Sequence, residues 1–399
     1  MVTESSNVTF SPPVARPADV SSAPVFRRFV GPEGLAAIRD DWRAIQERLS
    51  PVRPFHLYDW YTNYLDTLEP DPASVDFFVA YQGGSPMAVF PLRRTTWRVG
   101  GLPLRCLETS WHSHSTLGDC VWMNDAVAGD IVPQFLDYLR SQRDVPWDVL
   151  FVRRAMADSR LIERLRLRRG FLVMLRPAEG CNCLVTSDYE AMIGSLTKNA
   201  RGNLRKAHGK LAKMPDPRFY TVTAPGEIER AFTEFVDLEA AGWKGHTGHG
   251  MAIKVKPRLD KFYRRLMRDA DSGWKCEIHL LKAGNLCLAG GFSILVGDTC
   301  YFLKTAYNED YRHMSPGHLL LDFMARRQSE AGEYKYINLI TSREWHRFWN
   351  PTVQKTCDAY VFAPSPRGLA GAALLRARLA CGRVKRAVGS LLTRKGSQG

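Results

Sequence analysis

Residues 301–340 of the chain read YFLKTAYNEDYRHMSPGHLLLDFMARRQSEAGEYKYINLI. The stretch predicts a strand that ends near Tyr307, a polar loop, an apolar helix that begins after Ser315-Pro316-Gly317, and a second buried strand near Tyr336. A strand–loop–helix–strand unit of this kind is typical of a mixed α/β sheet with helices packed on its faces.

The start of the predicted helix is a candidate anion site. A helix N-terminus presents unpaired backbone N–H groups and the positive end of the helix dipole, which suits the diphosphate of a nucleotide-like cofactor. Gly317 allows a phosphate to approach the backbone, and Ser315 can either cap the helix or bind the phosphate. Arg312, His313 and His318 add charge or donors. The alternative is that Ser-Pro-Gly is only a favourable turn for starting a helix.

The segments around this unit predict two tandem modules. Upstream, three strands joined by turns at Gly284-Asn285 and Gly297-Asp298 predict an antiparallel meander, preceded by helices over 198–213, 225–241 and 257–271. The first half echoes this order more weakly, with a hairpin over 75–99. We therefore predict a mixed α/β fold of two modules, each a largely antiparallel sheet flanked by helices. The predicted divisions are a flexible leader (1–24), two halves (25–179 and 180–365) and a basic tail (366–399).

The composition is that of a soluble globular protein with ample core. Of the 399 residues, 45% are hydrophobic and 24% charged, no apolar run approaches the ~20 residues that span a bilayer, and the N-terminus lacks the pattern of a secretory signal. The nine cysteines are scattered without zinc-ligand spacing. These features predict a cytoplasmic protein with reduced thiols and no metal.

The net charge of +14 is concentrated in two stretches. Residues 359–399 contain eight Lys or Arg and no acidic residue, and residues 198–218 contain seven against the single Asp216. Apolar residues in the tail recur at steps of three and four, which predicts a basic amphipathic helix able to lie on an anionic membrane surface. Docking on the body of the protein and disorder are the alternatives for the tail.

Three runs carry a resemblance to a known family: AYNEDYRHMSPGHLLL (306–321), FVDLEAAGWKGHTGHGMA (235–252) and TKNARGNLRKAHGKL (197–211). They resemble the two-domain GNAT-like acetyltransferases, a branch associated with cellulose and exopolysaccharide synthesis and related to the Fem-type aminoacyltransferases. The resemblance covers roughly residues 55–362. It implies tandem GNAT-like modules and an acyl-CoA diphosphate loop at 314–319, which adds Met314 and Leu319 to the cofactor contacts. The family pattern of a Gly-containing segment with a Tyr-Lys pair is replaced here by TSREWHRFWNP (341–351).

The chemistry of a GNAT-type transfer indicates which side chains to look for. The acyl thioester is polarised by a backbone N–H and attacked directly by an amine, so the site needs a base and a donor to the leaving thiolate. Glu239 is the first candidate base, with a solvated helix carboxylate as the alternative. Tyr307, by resemblance, is the candidate donor, with packing on the sheet as the alternative. His246, in the loop KGHTGHG, is a further catalytic candidate, and an ordinary loop is the alternative.

The candidate substrate contacts lie on both halves. Trp243 and Lys244 follow Glu239, although a tryptophan at this position can also be a core residue. Arg201 and Arg205 lie on the basic helix 198–213, which provides either an anion platform or a solvated face. His112 and His114 belong to TSWHSHSTLGD in the first half, a loop predicted to line an acceptor cleft between the halves.

The prediction that combines these features is an N-acyltransferase that uses acyl-CoA, most simply acetyl-CoA, as co-substrate and needs no metal. Its acceptor would be the amine of a small molecule or an amino sugar in envelope or polysaccharide metabolism. A Fem-like transferase that takes its acyl group from aminoacyl-tRNA is the first alternative, because the basic surface suits an RNA donor. A non-catalytic accessory protein of a polysaccharide synthase is the second.

Overall fold

The computed structural model describes residues 23–114, 121–122, 125–245, 250–268 and 273–395. These residues form one large mixed sheet with helices on both faces. The predicted mixed α/β class is thus confirmed. Of the predicted leader, residues 1–22 lie outside the described part of the chain.

The strands are numbered in chain order. They are β1 Val25–Val30, β2 Val75–Gln82, β3 Ser85–Val99, β4 Leu102–Thr109, β5 Val121–Trp122, β6 Val149–Met156, β7 Leu172–Val185, β8 Pro217–Val222, β9 Lys275–Ala283, β10 Leu286–Val296, β11 Thr299–Tyr307, β12 Tyr336–Asn338 and β13 Thr352–Phe362.

The α-helices are numbered in the same way. They are α1 Gly31–Ala37, α2 Arg39–Gln46, α3 Tyr58–Thr67, α4 Asp125–Ser141, α5 Arg160–Leu167, α6 Tyr189–Ser195, α7 Lys198–Leu211, α8 Pro225–Ala241, α9 Pro257–Arg268, α10 Pro316–Ala331 and α11 Pro366–Lys395.

The strand order repeats once along the sheet. In the first half β1 to β4 are antiparallel neighbours, and β6 then pairs parallel with β4. In the second half β8 to β11 are antiparallel neighbours, and β12 pairs parallel with β11. This repetition accounts for the weaker echo that the first half shows in the sequence.

The two halves exchange strands at the centre of the sheet. The order there is β6-β13-β7-β12, so the last strand of the chain lies between two strands of the first half, and the C-terminal part of β7 pairs with β12. The predicted division at residue 180 falls inside β7, next to Gly180. A side chain at Gly180 would collide with the carbonyl oxygen of Gln354, 2.7 Å from an ideal Cβ.

Local sequence signals explain most helix starts in the second half. Asp188 and Thr197 cap α6 and α7 by accepting hydrogen bonds from the amides of Ala191 and Ala200. Proline stands at the first position of α8 and α10, where the missing amide hydrogen costs nothing because that position has no helical acceptor.

One apolar core is shared by both halves. Helices α1 to α3 of the first half and α8 and α9 of the second pack on the same face of the sheet. The Trp60 and Phe262 rings meet edge to face at 5.3 Å. The Asn63 side chain donates to the carbonyl of Phe262 at 3.0 Å, and Arg258 donates to the carbonyl of Thr67 at 2.7 Å. These contacts hold α9 against α3.

Several sequence expectations need correction at the level of single elements. The 3-4-3 spacing of apolar residues predicts one helix over residues 31–50, but the structure has two helices separated at Ile38, whose backbone angles (φ −101°, ψ 16°) are not helical. The apolar runs FLVMLR (171–176) and CNCLVT (181–186) predict two strands, but the structure has one strand here, β7. Strand β4 has no counterpart in the sequence prediction. None of the described helices has the length and apolarity needed to cross a membrane.

Candidate functional site

The candidate site is a cavity of about 430 Å³ at the C-terminal end of β11, called here the site cavity. Its walls come from the end of α8 and the turn after it, the end of β11, the start of α10 with the loop before it, and the segment that departs from the family pattern. The lining residues are Leu238, Glu239, Gly242, Trp243, Lys244, Thr305, Ala306, Tyr307, Glu309, Arg312, Ser315, Pro316, Gly317, His318 and Trp345.

The cavity opens because strands β11 and β12 part. The parallel pairing covers only Thr299 to Tyr301 on β11, while β11 continues to Tyr307 on its other neighbour, β10. One backbone edge of β11 beyond Tyr301 therefore faces the cavity instead of a strand. The carbonyl oxygen of Thr305 on this stretch accepts a hydrogen bond from Lys244 Nζ at 2.6 Å.

The start of α10 forms one wall of the cavity. Ser315 has a left-handed backbone (φ 55°, ψ 50°), which is uncommon for a residue with a side chain. Its carbonyl accepts from the amides of His318 and Leu319. Its hydroxyl makes no capping hydrogen bond. The Gly317 amide donates no hydrogen bond to any residue that the structure describes.

Gly317 also leaves room beside that amide. An ideal Cβ at this position would meet only Tyr307 Cδ1, at 3.9 Å, which is ordinary van der Waals contact. Gly317, at the positive end of a 16-residue helix, therefore leaves open space on the cavity wall, with the exposed Arg312 on the same wall. This arrangement is suited to an anion.

A buried charged cluster lies behind the cavity. Glu239 is 1% exposed. Its Oε2 accepts from the amide of Ile253 at 2.8 Å, and its Oε1 lies 2.9 Å from Lys304 Nζ and 3.5 Å from Lys244 Nζ. Burial lowers the pKa of Lys244, opposed by the attraction of Glu239. Glu239 is thus a fully bonded buried carboxylate and not the solvated helix residue considered as the alternative.

The first half reaches this cluster through His114. Its Nδ1 lies 2.8 Å from the hydroxyl of the buried Tyr263. Burial, with the positive charges of Lys304 and Lys244, holds the pKa of His114 well below its usual range, so the ring is neutral. His112 and His114 line a second cavity of about 260 Å³ between α3 and α9, and not the site cavity.

His318 is held by aromatic rings from the departing segment 341–351. The His318 ring centroid lies 4.2 Å from that of Phe348 and 5.8 Å from that of Trp345. Burial lowers the pKa of His318 to about 4, and its Nδ1 makes no hydrogen bond within the described part of the chain. The segment that replaces the family pattern therefore packs against the wall of the cavity, where Trp345 is partly exposed.

The structure brings together eight of the residues predicted from sequence. The predicted residues in the cavity wall are Glu239, Trp243, Lys244, Tyr307, Arg312, Ser315, Gly317 and His318. Trp243 is 53% exposed and is not a core residue. His246 lies outside the described residues.

Besides His112 and His114, four predicted site residues lie away from the site cavity. Met314 and Leu319 are buried in the core between α7, α10 and the sheet, so their side chains are packing residues. Arg201 donates to the carbonyls of Gly194 and Leu196 at the end of α6. Arg205 is exposed on α7 and does not line the cavity. Spacing on a helix face could not show which basic side chains are used to hold the neighbouring helix.

Sequence reasoning missed three charged or aromatic residues of the site. Lys304 is the single charged residue of β11, which is a detectable signal. Glu309 accepts from the amide of Trp243 at 2.8 Å and so fastens the turn after α8 to the loop before α10. Trp345 gave no signal because its segment departs from the family pattern.

Comparison with protein families gives a match over the cavity and its surroundings. Residues 198–347 match the family described as acetyltransferase (GNAT) domain. This part of the chain is similar to a GNAT acetyltransferase domain. The matched residues contain α7 to α10, β8 to β12 and every residue that lines the site cavity. Comparison with curated proteins finds no match.

Solved structures similar to this chain include the C-terminal domain (DUF2156) of a candidate lysylphosphatidylglycerol synthetase from Agrobacterium fabrum. It is 12% identical, and the match covers 86% of this chain and 96% of that one. The TM-score of 0.51 shows a shared fold. FemX is 9% identical over 72% of this chain and 88% of its own, with a TM-score of 0.47. A tandem GNAT protein from the clavulanic acid biosynthesis pathway is 9% identical. The match covers 86% of this chain and 99% of that one, with a TM-score of 0.43.

Proposed function

We propose that this GNAT-type acyltransferase transfers an acyl group, most simply acetyl, from acyl-CoA to an amine. The proposal rests on one observation: the open edge of β11 and Gly317, whose amide has no partner in the described part of the chain, both line the site cavity. The first provides backbone groups for an extended thioester arm, and the second provides an anion site for the donor diphosphate.

The donor end is supported by three neighbouring groups. The Gly317 amide, the Ser315 hydroxyl that caps nothing, and the Arg312 guanidinium all lie on the cavity wall. A backbone donor at a helix N-terminus and a guanidinium are the groups that proteins use to bind phosphate oxygens.

Transfer would proceed by direct attack of the acceptor amine on the thioester carbonyl. The nitrogen–carbon bond forms, the carbon–sulfur bond breaks, and the CoA thiolate takes a proton from Tyr307, which is 37% exposed at the end of β11. Tyr307 recovers its proton from the attacking amine through solvent. His246 remains the predicted loop candidate for taking the amine proton.

Glu239 is better suited to positioning than to proton transfer. Both of its oxygens already bind protein donors, so abstraction of a proton would require one of these contacts to break. His318 is also a poor base, because a ring with a pKa near 4 has too low a proton affinity to take a proton from an amine effectively. His318 lines the cavity, while its Nδ1 is buried and makes no hydrogen bond within the described part of the chain.

The acceptor end has an aromatic character. Trp243 and Trp345 are 53% and 38% exposed and both line the cavity. Exposed indole rings provide flat apolar surfaces on which a sugar ring packs. This favours an amino sugar, as expected for envelope or polysaccharide metabolism, over a linear aliphatic amine.

The experiment that tests the donor is calorimetric titration of the protein with acetyl-CoA and with a longer-chain acyl-CoA. Gly317→Ala is the decisive variant, since the structure has space for the added methyl group beside Tyr307 but the group obstructs a phosphate. We expect affinity to fall about tenfold. Gly209→Ala on α7, where nothing lies within 4 Å, is the matched control. Equal affinities for both variants and wild type contradict the donor site.

A Fem-like donor is the second candidate function. Helix α7 carries an exposed basic face that includes Arg205, Lys206 and Lys210, and RNA binding through such a face depends steeply on salt. Salt-dependent tRNA binding without affinity for CoA would support this candidate. The absence of binding to either donor would favour the non-catalytic accessory protein.

We also propose a cytoplasmic location with peripheral membrane contact through α11. Its first turns pack on the sheet, with Ala372 buried beside β4 and β13 and Leu374 against Gly100. The helical backbone continues to Lys395. The basic residues of this continuation are suited to anionic lipid headgroups.

A further inference from the structure

Three side chains that can bind a metal ion lie close together beneath α10. They are far from the N-terminal end of that helix, which lines the site cavity. Glu277 and His279 lie on β9 and Cys300 lies on β11, and their exposed fractions are 0%, 1% and 0%. One ligand atom from each lies within 4.8 Å of the others. The three residues do not line the site cavity.

The His279 ring is oriented by hydroxyl groups on neighbouring strands. Nδ1 lies 3.1 Å from Thr221 Oγ1 on β8, and Nε2 lies 3.1 Å from Ser293 Oγ on β10. If Nδ1 carries the proton and donates it to Thr221, Nε2 keeps a free lone pair beside Ser293 Oγ and 3.5 Å from Glu277 Oε2. A hydrogen bond from the remote ring nitrogen is the usual support of a histidine that binds a metal.

The two oxygens of Glu277 have different surroundings. Oε2 lies 3.5 Å from His279 Nε2. Oε1 lies 3.6 Å from Lys275 Nζ and 3.8 Å from Arg327 Nη1. Neither oxygen makes a hydrogen bond within the described part of the chain. A fully buried carboxylate in this state is costly, and a metal ion on Oε2 would remove the cost.

The nearby cations do not compete for the same oxygen. Lys275 and Arg327 approach Oε1, and both also pair with Glu333, at 3.6 Å and 3.5 Å. Their charges are therefore balanced on the outer side of Glu277, while Oε2, His279 and Cys300 face inward. The inner side offers one oxygen, one nitrogen and one sulfur ligand.

We propose that Glu277, His279 and Cys300 bind a divalent transition-metal ion of the zinc type. The mixed oxygen, nitrogen and sulfur set suits zinc or cobalt rather than calcium or magnesium, which prefer oxygen alone. Nitrogen and oxygen ligands about 2.0–2.1 Å from a tetrahedral zinc ion lie roughly 3.4 Å apart. The observed 3.5 Å between Glu277 Oε2 and His279 Nε2 matches that spacing. Ser293 or a water molecule provides the fourth ligand.

The ion would have a structural role. It would join β9 to β11, the outer strands of the meander β9–β10–β11, beneath α10, whose N-terminus forms a wall of the site cavity. Metal binding would therefore stabilise the support of the donor site without contacting the donor. The ligands are separated by one and by twenty positions in the sequence, which is why spacing predicted no metal.

The test is metal content of the full chain expressed in zinc- or cobalt-supplemented medium. We expect about one equivalent of bound metal and a thiolate–cobalt charge-transfer band in the near ultraviolet for the cobalt form. Cys300→Ser should lose the band, and Glu277→Gln should lower the metal content at least about tenfold. Cys276→Ser is the matched control. Its side chain lies on the opposite face of β9, where it donates to the Leu266 carbonyl at 3.2 Å.

Two results would overturn the proposal. One is wild-type protein without bound metal whose thermal midpoint is unchanged by zinc or by a chelator. The other is equal metal content in wild type, Cys300→Ser and Glu277→Gln, which places the metal elsewhere. Cys300→Ser and Glu277→Gln alter different strands, so failure of one variant to fold does not imply failure of the other. Either variant, if it is soluble, is enough to test whether these residues bind the metal. Failure of acyl-CoA binding would leave these readouts unaffected, so the metal site and the transferase activity are tested separately.

Discussion

Glu239 and Lys304 form a buried ion pair, with Oε1 of the carboxylate 2.9 Å from Nζ of the ammonium group. Lys244 approaches the same oxygen and also donates to the Thr305 carbonyl on the open edge of β11. The carboxylate thus connects α8 to β11 at the back of the site cavity. Removal of its charge leaves the mostly buried Lys304 and Lys244 ammonium groups, whose side chains are 12% and 20% exposed, without this counter-charge.

Glu239→Gln should therefore destabilise the protein strongly. Loss of one partner of a buried ion pair costs about 3–5 kcal/mol, because the remaining charge stays desolvated. Urea unfolding measures the change. Glu234→Gln on the same helix is the control, since Glu234 pairs with Lys282 nearer the surface and should cost less than about 1 kcal/mol. If the two variants are equally stable and only catalysis falls in Glu239→Gln, Glu239 acts as the base.

Tyr307→Phe should lower kcat and leave KM for acyl-CoA nearly unchanged. The hydroxyl is proposed to protonate the leaving thiolate, and removal of a general acid typically lowers the rate about 100-fold or more. Steady-state kinetics with the circular dichroism spectrum as a fold check measures this effect. Tyr220→Phe, on the edge strand β8 and 41% exposed, should leave both constants unchanged. A rise in KM alone would instead assign Tyr307 to donor binding.

The sequence predicted the fold where the signals are local. The turns at Gly284-Asn285 and Gly297-Asp298 fix the meander of β9 to β11, and both hairpins are confirmed. The strand exchange was not predictable in this way, because β13 pairs with β6 about 200 positions earlier in the chain and no local pattern records such a partner. A helical period likewise does not reveal a break such as the one at Ile38.

The same limit applies to the site. Gly317, Tyr307 and Arg312 were found because a helix start after a strand has a sequence signature, and they lie together on the cavity. Arg201 was misplaced because its charge is used within the fold, on the carbonyls that end α6. Glu277, His279 and Cys300 meet only when strands align side by side, and no spacing rule covers residues from different strands.

The stability of the protein should fall as the pH is lowered from about 6.5 to about 4. Burial lowers the pKa of His318 to about 4, whereas the same ring in the unfolded chain has a pKa of about 6.5. Between these values the unfolded state binds more protons than the folded state, so acid favours unfolding. His318 alone contributes on the order of 3 kcal/mol to this loss.

Urea unfolding at several pH values measures the slope. His318→Leu should reduce it, because the variant has no ring to protonate on unfolding. His346, whose pKa burial also lowers to about 4, maintains part of the slope in that variant. The exposed His313 provides the control, and His313→Gln should leave the slope as in wild type. An unchanged slope in His318→Leu would show that the ring is not buried in its neutral form.

The tail should separate into a docked part and a membrane-binding part. Arg367 lies 3.3 Å from the buried Asp148, and Leu374 contacts Gly100, so truncation after Ser365 removes packing from the apolar cluster of β4, β6 and β13 and should lower the unfolding free energy. Truncation after Cys381 should leave it unchanged. At low salt the wild-type protein should sediment with anionic phosphatidylglycerol vesicles but not with neutral vesicles. High salt should weaken this binding, because salt screens the attraction of basic side chains to lipid headgroups. Neither truncated protein should sediment with the anionic vesicles. Retained vesicle binding after truncation at Cys381 would exclude residues 382–399 as the membrane contact.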